Sequence, residues 1–297
     1  MTKGELTRES GRIMIIVPHQ DDEVLMTAGI LQQAKAFGLP VRVLMATNGD
    51  YGCRDFTTGQ ARLRETLSGL SLVLPNQNHV VFLGYADTGM PKQDSFLTHL
   101  FLEKDENRVL PSHCTDRTYG LEDQADYHTL RYGTPALYTR RNFLGDLKEN
   151  IEEFSPDLIV TTCAEDVHGD HSGLFFFVME VLQMWAGQWN RTGMIQVPEL
   201  YVGLVHSCAG DDRWPGSETG EPFSCPPDFE NQGGLIWDER FVFEVPDVEL
   251  KKRMLQEHRT ALKPDAVKFL NAFIRKEEVF WKIDWQRPEQ ESNNLEE

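Results

Sequence analysis

Ile13-Met14-Ile15-Ile16-Val17 runs without a polar residue into Pro18-His19-Gln20-Asp21-Asp22-Glu23, and the reading of this join decides the fold. A continuous apolar run of this length fits a strand covered on both faces, as strands of parallel sheets are. From Asp21 to Phe37 the period changes. Val24, Leu25, Ala28, Leu31 and Ala34 fall on one helical face, and Gly38 stops the helix. Working outward, Val41 to Thr47 is a second strand, Asn48-Gly49-Asp50-Tyr51-Gly52 is a loop by its turn chemistry, and Gln60 to Leu74 is a helix ended by Pro75. His79 to Leu83 is a third strand, Arg140 to Phe154 a helix, Asp157 to Cys163 a fourth strand, His171 to Ala186 a helix and Glu199 to Val205 a fifth strand. Residues 209–231 read as loop, and Asp247 to Lys263 and Ala266 to Phe280 as late helices. Residues from about 91 to 138 break the rhythm, and a connection of that length is usually functional or partly disordered.

This alternation predicts an α/β fold with a Rossmann-like, mostly parallel sheet and helices on both faces. The organisation expected is one domain over 1–297, with an insert at about 91–138 and a C-terminal helical segment at about 247–285. Ligands of such sheets sit beyond the carboxyl ends of the strands. The chemistry is therefore expected just after Val17, Thr47, Leu83, Cys163 and Val205.

Composition narrows the function. The 297 residues carry 29 Lys plus Arg against 47 Asp plus Glu, a formal net charge of −18. That argues against binding nucleic acid or an anionic membrane, since both need a basic face. It suits a neutral or cationic small molecule, or a metal cation. No apolar stretch is long enough to span a bilayer, and the polar start MTKGELTRESGR does not read as a signal peptide. Five cysteines (Cys53, Cys114, Cys163, Cys208, Cys225) without C-x-x-C spacing read as reduced thiols of a cytoplasmic protein. The acidic end EQESNNLEE is expected to fray.

Two motifs fall at the expected strand ends. After the first strand comes Pro18-His19-Gln20-Asp21-Asp22-Glu23; after the fourth comes Asp166-Val167-His168-Gly169-Asp170-His171. Each puts imidazole and carboxylate groups in a short loop entering a helix, and these are ligands that zinc accepts. Asp21 and Asp22 are adjacent and point apart, so one can bind metal while the other reaches the metal's water. Metal-assisted hydrolysis needs that division. Taken singly, acids at a helix start are explained by the macrodipole alone and the histidines are ordinary loop residues. Joint placement at two strand ends of one sheet is what favours a site.

The pair His19-x-Asp21-Asp22-Glu23 and His168-x-x-His171 resembles the PIG-L/LmbE family of zinc-dependent N-deacetylases. The family's usual motifs are His-Pro-Asp-Asp-Glu and His-Pro-Asp-His; Gln20 and Gly169 replace the prolines here, and neither proline donates to metal. The likeness covers about Ile13 to Val205, is specific at the two motifs, does not reach the insert and is faint beyond residue 205. By match, the resemblance implies an LmbE-like deacetylase domain with His19, Asp22 and His171 as zinc ligands and Asp21 as general base. It also implies His168, when protonated, as oxyanion stabiliser and acid for the leaving amine, with Asp170 orienting His168 or tuning its pKa. Arg62, in Arg62-x-x-Glu65, matches a family position that contacts the sugar or its aglycone, and Asp87 one that holds sugar hydroxyls; the site reading is favoured over a helical ion pair for Arg62 and an Asx-turn for Asp87.

The activity implied is removal of the N-acetyl group from an N-acetylglucosamine-type amino sugar or its conjugate. A zinc amidase of another linear amide and a non-catalytic sugar-binding module are the competing readings. Fe(II), Co(II) or Ni(II) suit the same ligands as Zn2+, and oligomeric state is not legible. Glu23 reads as a helix cap. Asn48 and Asp50 read equally as turn or pocket residues. His206 is well placed for a pocket wall, His79, His99, His113 and His258 default to structure or surface, and Asp126-Tyr127-His128 is a weak candidate for capping a sugar. Trp185, Trp189, Trp214 and Trp237 are candidates for stacking on it.

Overall fold

The apolar run at Ile13–Val17 (β2) is fully buried and occupies the middle of the sheet. The computed structural model of the protein describes residues 1–192, 197–216, 221–227, 229 and 234–286, with the backbone alone at 77 and 187–192. Trp189 and the acidic end, for which expectations were stated, lie outside the described side chains.

The other strands are Thr2–Gly4 (β1), Val41–Thr47 (β3), Val80–Tyr85 (β4), Leu158–Thr162 (β5), Glu199–Gly203 (β6), Phe241–Glu244 (β7) and Glu277–Ile283 (β8). Among the described residues they form one eight-stranded sheet in the order β1-β7-β8-β6-β5-β2-β3-β4. From β6 to β4 every pairing is parallel, as expected. The order in which strands are added reverses between β2 and β5, which run parallel, so their carboxyl ends flank the topological switch point where open α/β sheets bind ligands. Both motifs leave the sheet there.

The helices are Asp22–Phe37 (α1), Thr57–Ser71 (α2), Phe96–Leu102 (α3), Tyr127–Tyr132 (α4), Arg140–Phe154 (α5), Gly169–Thr192 (α6), Val248–Gln256 (α7) and Val267–Asn271 (α8). Gly38 ends α1 in the left-handed region, where glycine carries no Cβ penalty. The sheet and its helices share one contiguous buried apolar cluster.

Two expectations fail toward the C-terminus. The helix expected over Ala266 to Phe280 is only the short α8, and the segment then becomes strand β8, antiparallel to both β6 and β7. Val279, Phe280 and Trp281 are the β-branched and aromatic residues that favour a strand. The charges at Glu277, Glu278 and Lys282 hide the pattern. Glu278 is buried all the same, because Lys251 Nζ on α7 meets it at 2.9 Å and the backbone N–H of Gly29 donates to it at 2.9 Å. The helix expected to run to Lys263 ends at Gln256.

The insert is ordered. Gly169 shows how it docks: a Cβ there would lie 2.4 Å from Ser95 Cβ, so the proline of the usual motif has no room. Gly169 N–H donates to Met90 O at 2.7 Å, and Thr98 Oγ1 donates to Gly169 O at 2.7 Å.

Candidate active site

The two motif loops converge. His19 Nδ1 lies 3.2 Å from His171 Nε2, His171 Nε2 lies 3.3 Å from Asp22 Oδ2, and Asp22 Oδ2 lies 3.5 Å from His19 Nδ1. Donors about 2.1 Å from a tetrahedral ion stand about 3.4 Å from one another, so this triangle fits a single first-row divalent ion. The far nitrogens carry the complementary partners. His171 Nδ1 meets Asp166 Oδ2 at 2.9 Å and His19 Nε2 meets Asp170 Oδ2 at 3.1 Å. A carboxylate on the outer nitrogen keeps the proton there and turns the inner lone pair toward a metal. His168 belongs to the same cluster, with a ring nitrogen within 4.8 Å of those of His19 and His171.

The electrostatics favour a cation at the triangle. Burial alone would lower His19, but its contacts with Asp170 and Asp22 outweigh that and push it up to about 10. Burial likewise opposes charge on His171, yet Asp166 and Asp22 raise it. Burial would raise Asp22, but His171 and His19 hold it well below the usual carboxylate range. The groups that bind a proton here in the absence of metal are those that would bind a metal in its place.

Asp21 stands beside them. Burial, opposed by the Arg62 guanidinium, pushes its carboxyl up to about 6. Arg62 Nη2 lies 3.6 Å from Asp21 Oδ2 and donates to Gln20 O at 2.8 Å, while Nη1 donates to Gly49 O at 3.1 Å. Gly49 has φ +59°, and a Cβ there would fall 2.6 Å from Arg62 Nη1, so only glycine leaves the arginine its seat. Arg62 and Glu65 do not pair with each other. Glu65 instead accepts from the N–H and the hydroxyl of Thr260, at 3.1 and 2.6 Å.

The expected pairing of Asp170 with His168 is not the arrangement found. The Asp170 carboxylate faces His19 and accepts from Ser95 Oγ at 2.6 Å and Leu97 N–H at 2.7 Å. It is the backbone N–H of Asp170 that meets His168, donating to Nδ1 at 3.2 Å. That bond requires a lone pair on Nδ1, so His168 carries its proton on Nε2. Burial first, then the positive charge of its neighbours, holds the ring well below the usual histidine range. The accepted N–H bond and the burial both favour the neutral ring with its hydrogen on Nε2.

Asp87 forms the Asx-turn and also faces the donor cluster. Oδ1 accepts from Gly89 N–H at 3.2 Å, an Asx-turn, while Oδ2 approaches His19 Nε2 at 3.8 Å. Asp50 steers it by accepting the Asp87 N–H at 3.0 Å, and Asn48 Nδ2 donates to Gly84 O and Tyr119 O, so both are loop-holding residues. Asp126 caps α4, Tyr127 donates to Glu149 and His128 pairs with Asp146, and none of the three lines the cleft over the triangle.

A cleft of about 920 Å³ opens over the triangle, lined among others by Asp21, Arg62, Asp87, His168 and His206. No described tryptophan side chain lines it. The aromatic wall is instead His206 stacked on Phe269, centroids 4.8 Å apart. Phe269 was missed because its segment read as an ordinary helix. Glu23 and His258, 3.2 Å apart, form a buried pair that was also missed, because the C-terminal segment gave no spacing signal.

Residues 14–182 match the family PIG-L: GlcNAc-PI de-N-acetylase, and the chain belongs to that family of deacetylases. A search of curated sequences finds no match. Among solved structures, the chain is similar to the N,N'-diacetylchitobiose deacetylase from Pyrococcus horikoshii, with 13% identity, TM-score 0.55 and coverage of 94% of this chain and 86% of that one. It is also similar to the antimicrobial A40926 pseudoaglycone deacetylase, with 15% identity, TM-score 0.53 and coverage of 94% and 100%. A zinc-inhibited form of a teicoplanin deacetylase follows, with 15% identity, TM-score 0.50 and coverage of 91% and 97%. At these identities the likeness establishes the shared fold. Among the described residues no helix is long and apolar enough to cross a membrane.

Proposed function

We propose that the protein is a metal-dependent hydrolase that removes the N-acetyl group from an N-acetylglucosamine-type amino sugar or its conjugate. The observation that carries this reading is the donor triangle of His19, Asp22 and His171, with sides of 3.2 to 3.5 Å and the Asp21 carboxylate beside it. These three residues would hold Zn2+ or another first-row divalent ion. Such an ion supplies Lewis acidity, lowering the pKa of water and drawing charge onto the amide oxygen.

The chain's own groups do the rest. Ionised Asp21 takes a proton from the attacking water, with Arg62 holding its carboxylate in place. Neutral His168 donates its Nε2 hydrogen to the amide oxygen as charge develops there. Asp21 returns the proton to the departing nitrogen. Water's hydroxyl then ends on acetate and its hydrogen on the amine. Asp170 acts on His19 and, through its backbone, on the tautomer of His168. Asp87 accepts from sugar hydroxyls, which suits a buried carboxylate at the cleft floor. A cytoplasmic setting fits Cys53, Cys114, Cys163 and Cys208, none of which forms a disulfide.

The test is acetate release from N-acetylglucosamine and N,N'-diacetylchitobiose, set against a panel of non-sugar amides, with metal content measured on the same preparation. Turnover of sugars alone supports the proposal. Turnover of non-sugar amides alone assigns the chain to the amidases. A chain that takes up no metal and turns over neither set is a binding module.

A further inference from the structure

Asp21 has the least ordinary backbone in the site. Its φ of 113° and ψ of −33° lie outside the regions open to a residue with a Cβ, so the conformation is strained and its surroundings must impose it. Its carbonyl accepts from Val24 and Leu25 N–H, both at 2.9 Å, and its own N–H donates to Glu23 Oε2 at 2.9 Å. The second oxygen of Glu23 lies 3.2 Å from His258 Nε2. Both side chains are buried and neither lines the cleft.

A helix cap needs only one oxygen of Glu23. The other faces a buried imidazole at 3.2 Å without hydrogen-bond geometry: Glu23 Oε1 and both ring nitrogens of His258 lack a hydrogen-bond partner among the described residues. Burying an ion pair with unmet hydrogen bonds is a poor way to gain stability, so a role in orientation is the hypothesis it suggests here. The placement of His258 is itself enforced. It sits in the turn after α7, beyond the stretch that matches the family. Glu65 on α2 anchors that turn through Thr260, and a Cβ at Gly69 would lie 3.0 Å from Met254 O and 3.3 Å from His258 Nε2. One turn earlier on α2, Arg62 reaches the Asp21 carboxylate from the cleft side. On α2, Arg62 thus contacts Asp21 directly, while Glu65 anchors the turn that carries His258.

We propose that His258 is a positioning residue that, through Glu23, locks the strained peptide of Asp21 and keeps its carboxylate aimed into the cleft. The inference rests on reading Asp21 as the base. It is tested with His258→Leu and His258→Gln, using N,N'-diacetylchitobiose as probe, with metal content and crystal structures of both variants. The leucine variant is expected to lose about 10- to 100-fold in kcat, the range of outer-shell losses, with KM within about twofold and metal content unchanged. Glutamine, which can donate to Glu23, restores most of that loss. The leucine structure shows Asp21 relaxed from its φ of 113° and its carboxylate moved from Arg62. Should the leucine variant not fold, His258→Asn, whose amide is too short to reach Glu23, carries the same expectation. An unmoved Asp21, equal losses in the leucine and glutamine variants, or kcat per metal-loaded chain within about threefold of the parent overturns the proposal. If the parent itself releases no acetate, the functional reading fails, and the crystal structures still decide the fate of Asp21.

Discussion

Asp166 Oδ2 accepts the Nδ1 hydrogen of His171 at 2.9 Å and, on the same oxygen, the backbone N–H groups of Val205 and His206, each at 3.0 Å. One buried carboxylate thereby sets the tautomer of a proposed metal ligand and ties the loop after β5 to the loop after β6. Asp166→Ala should weaken metal affinity about 10- to 100-fold, with Asp166→Asn intermediate. Competition against a chelator of known affinity measures this, and affinity equal to the parent would remove Asp166 from the role.

Asp21→Asn separates base from ligand. The variant should bind one metal ion per chain as the parent does, while kcat falls by about 10²- to 10⁴-fold, the usual worth of a positioned base. Metal content and initial rates from one preparation give both quantities. Loss of metal together with activity would instead place Asp21 among the ligands.

The acid limb of the pH profile should report Asp21. Burial, partly offset by Arg62, pushes its carboxyl up to about 6. The base works ionised, so kcat/KM is high above that pKa and declines as pH falls through it. A bound cation favours the ionised form and moves the limb lower. Arg62→Gln removes an attraction that lowers the pKa, so the limb moves up by about one unit. A limb that stays in place in this variant would detach it from Asp21.

Lys251 and Glu278 make a stability prediction independent of activity. Both are fully buried, and Lys251 also donates to Leu25 O at 2.7 Å, pinning α7 and β8 to α1. Glu278→Ala strands a buried ammonium and should cost about 3–5 kcal/mol, whereas replacing both, as Lys251→Met with Glu278→Leu, should cost far less. Urea unfolding of the two variants decides, and equal losses would refute the pairing argument.

The parallel core and the two motifs at its strand ends were legible because each rests on a local signal, while the choice of His19, Asp22 and His171 as donors came from the family resemblance. Ile13–Val17 is uninterrupted, and the chemistry-bearing residues follow two strands within a few positions. What escaped rests on distant contacts. Strand β8 hides its Glu278 until Lys251, on another element, explains why a charge is buried. The partner of Asp170 could not be read from its neighbour His168, because the choice is made by Ser95 and Leu97 in the insert. Arg62-x-x-Glu65 has the spacing of a surface ion pair, and only the fold sends one residue to Gln20 and the other to Thr260.

The antiparallel return at β8 and the turn carrying His258 have a bearing on biosynthesis. All three donors have been translated once His171 leaves the ribosome, yet Phe269 and His258 are still to come. The cleft wall and the support behind Asp21 are therefore completed only by the last part of the chain to be made, well after the donor set has been synthesised.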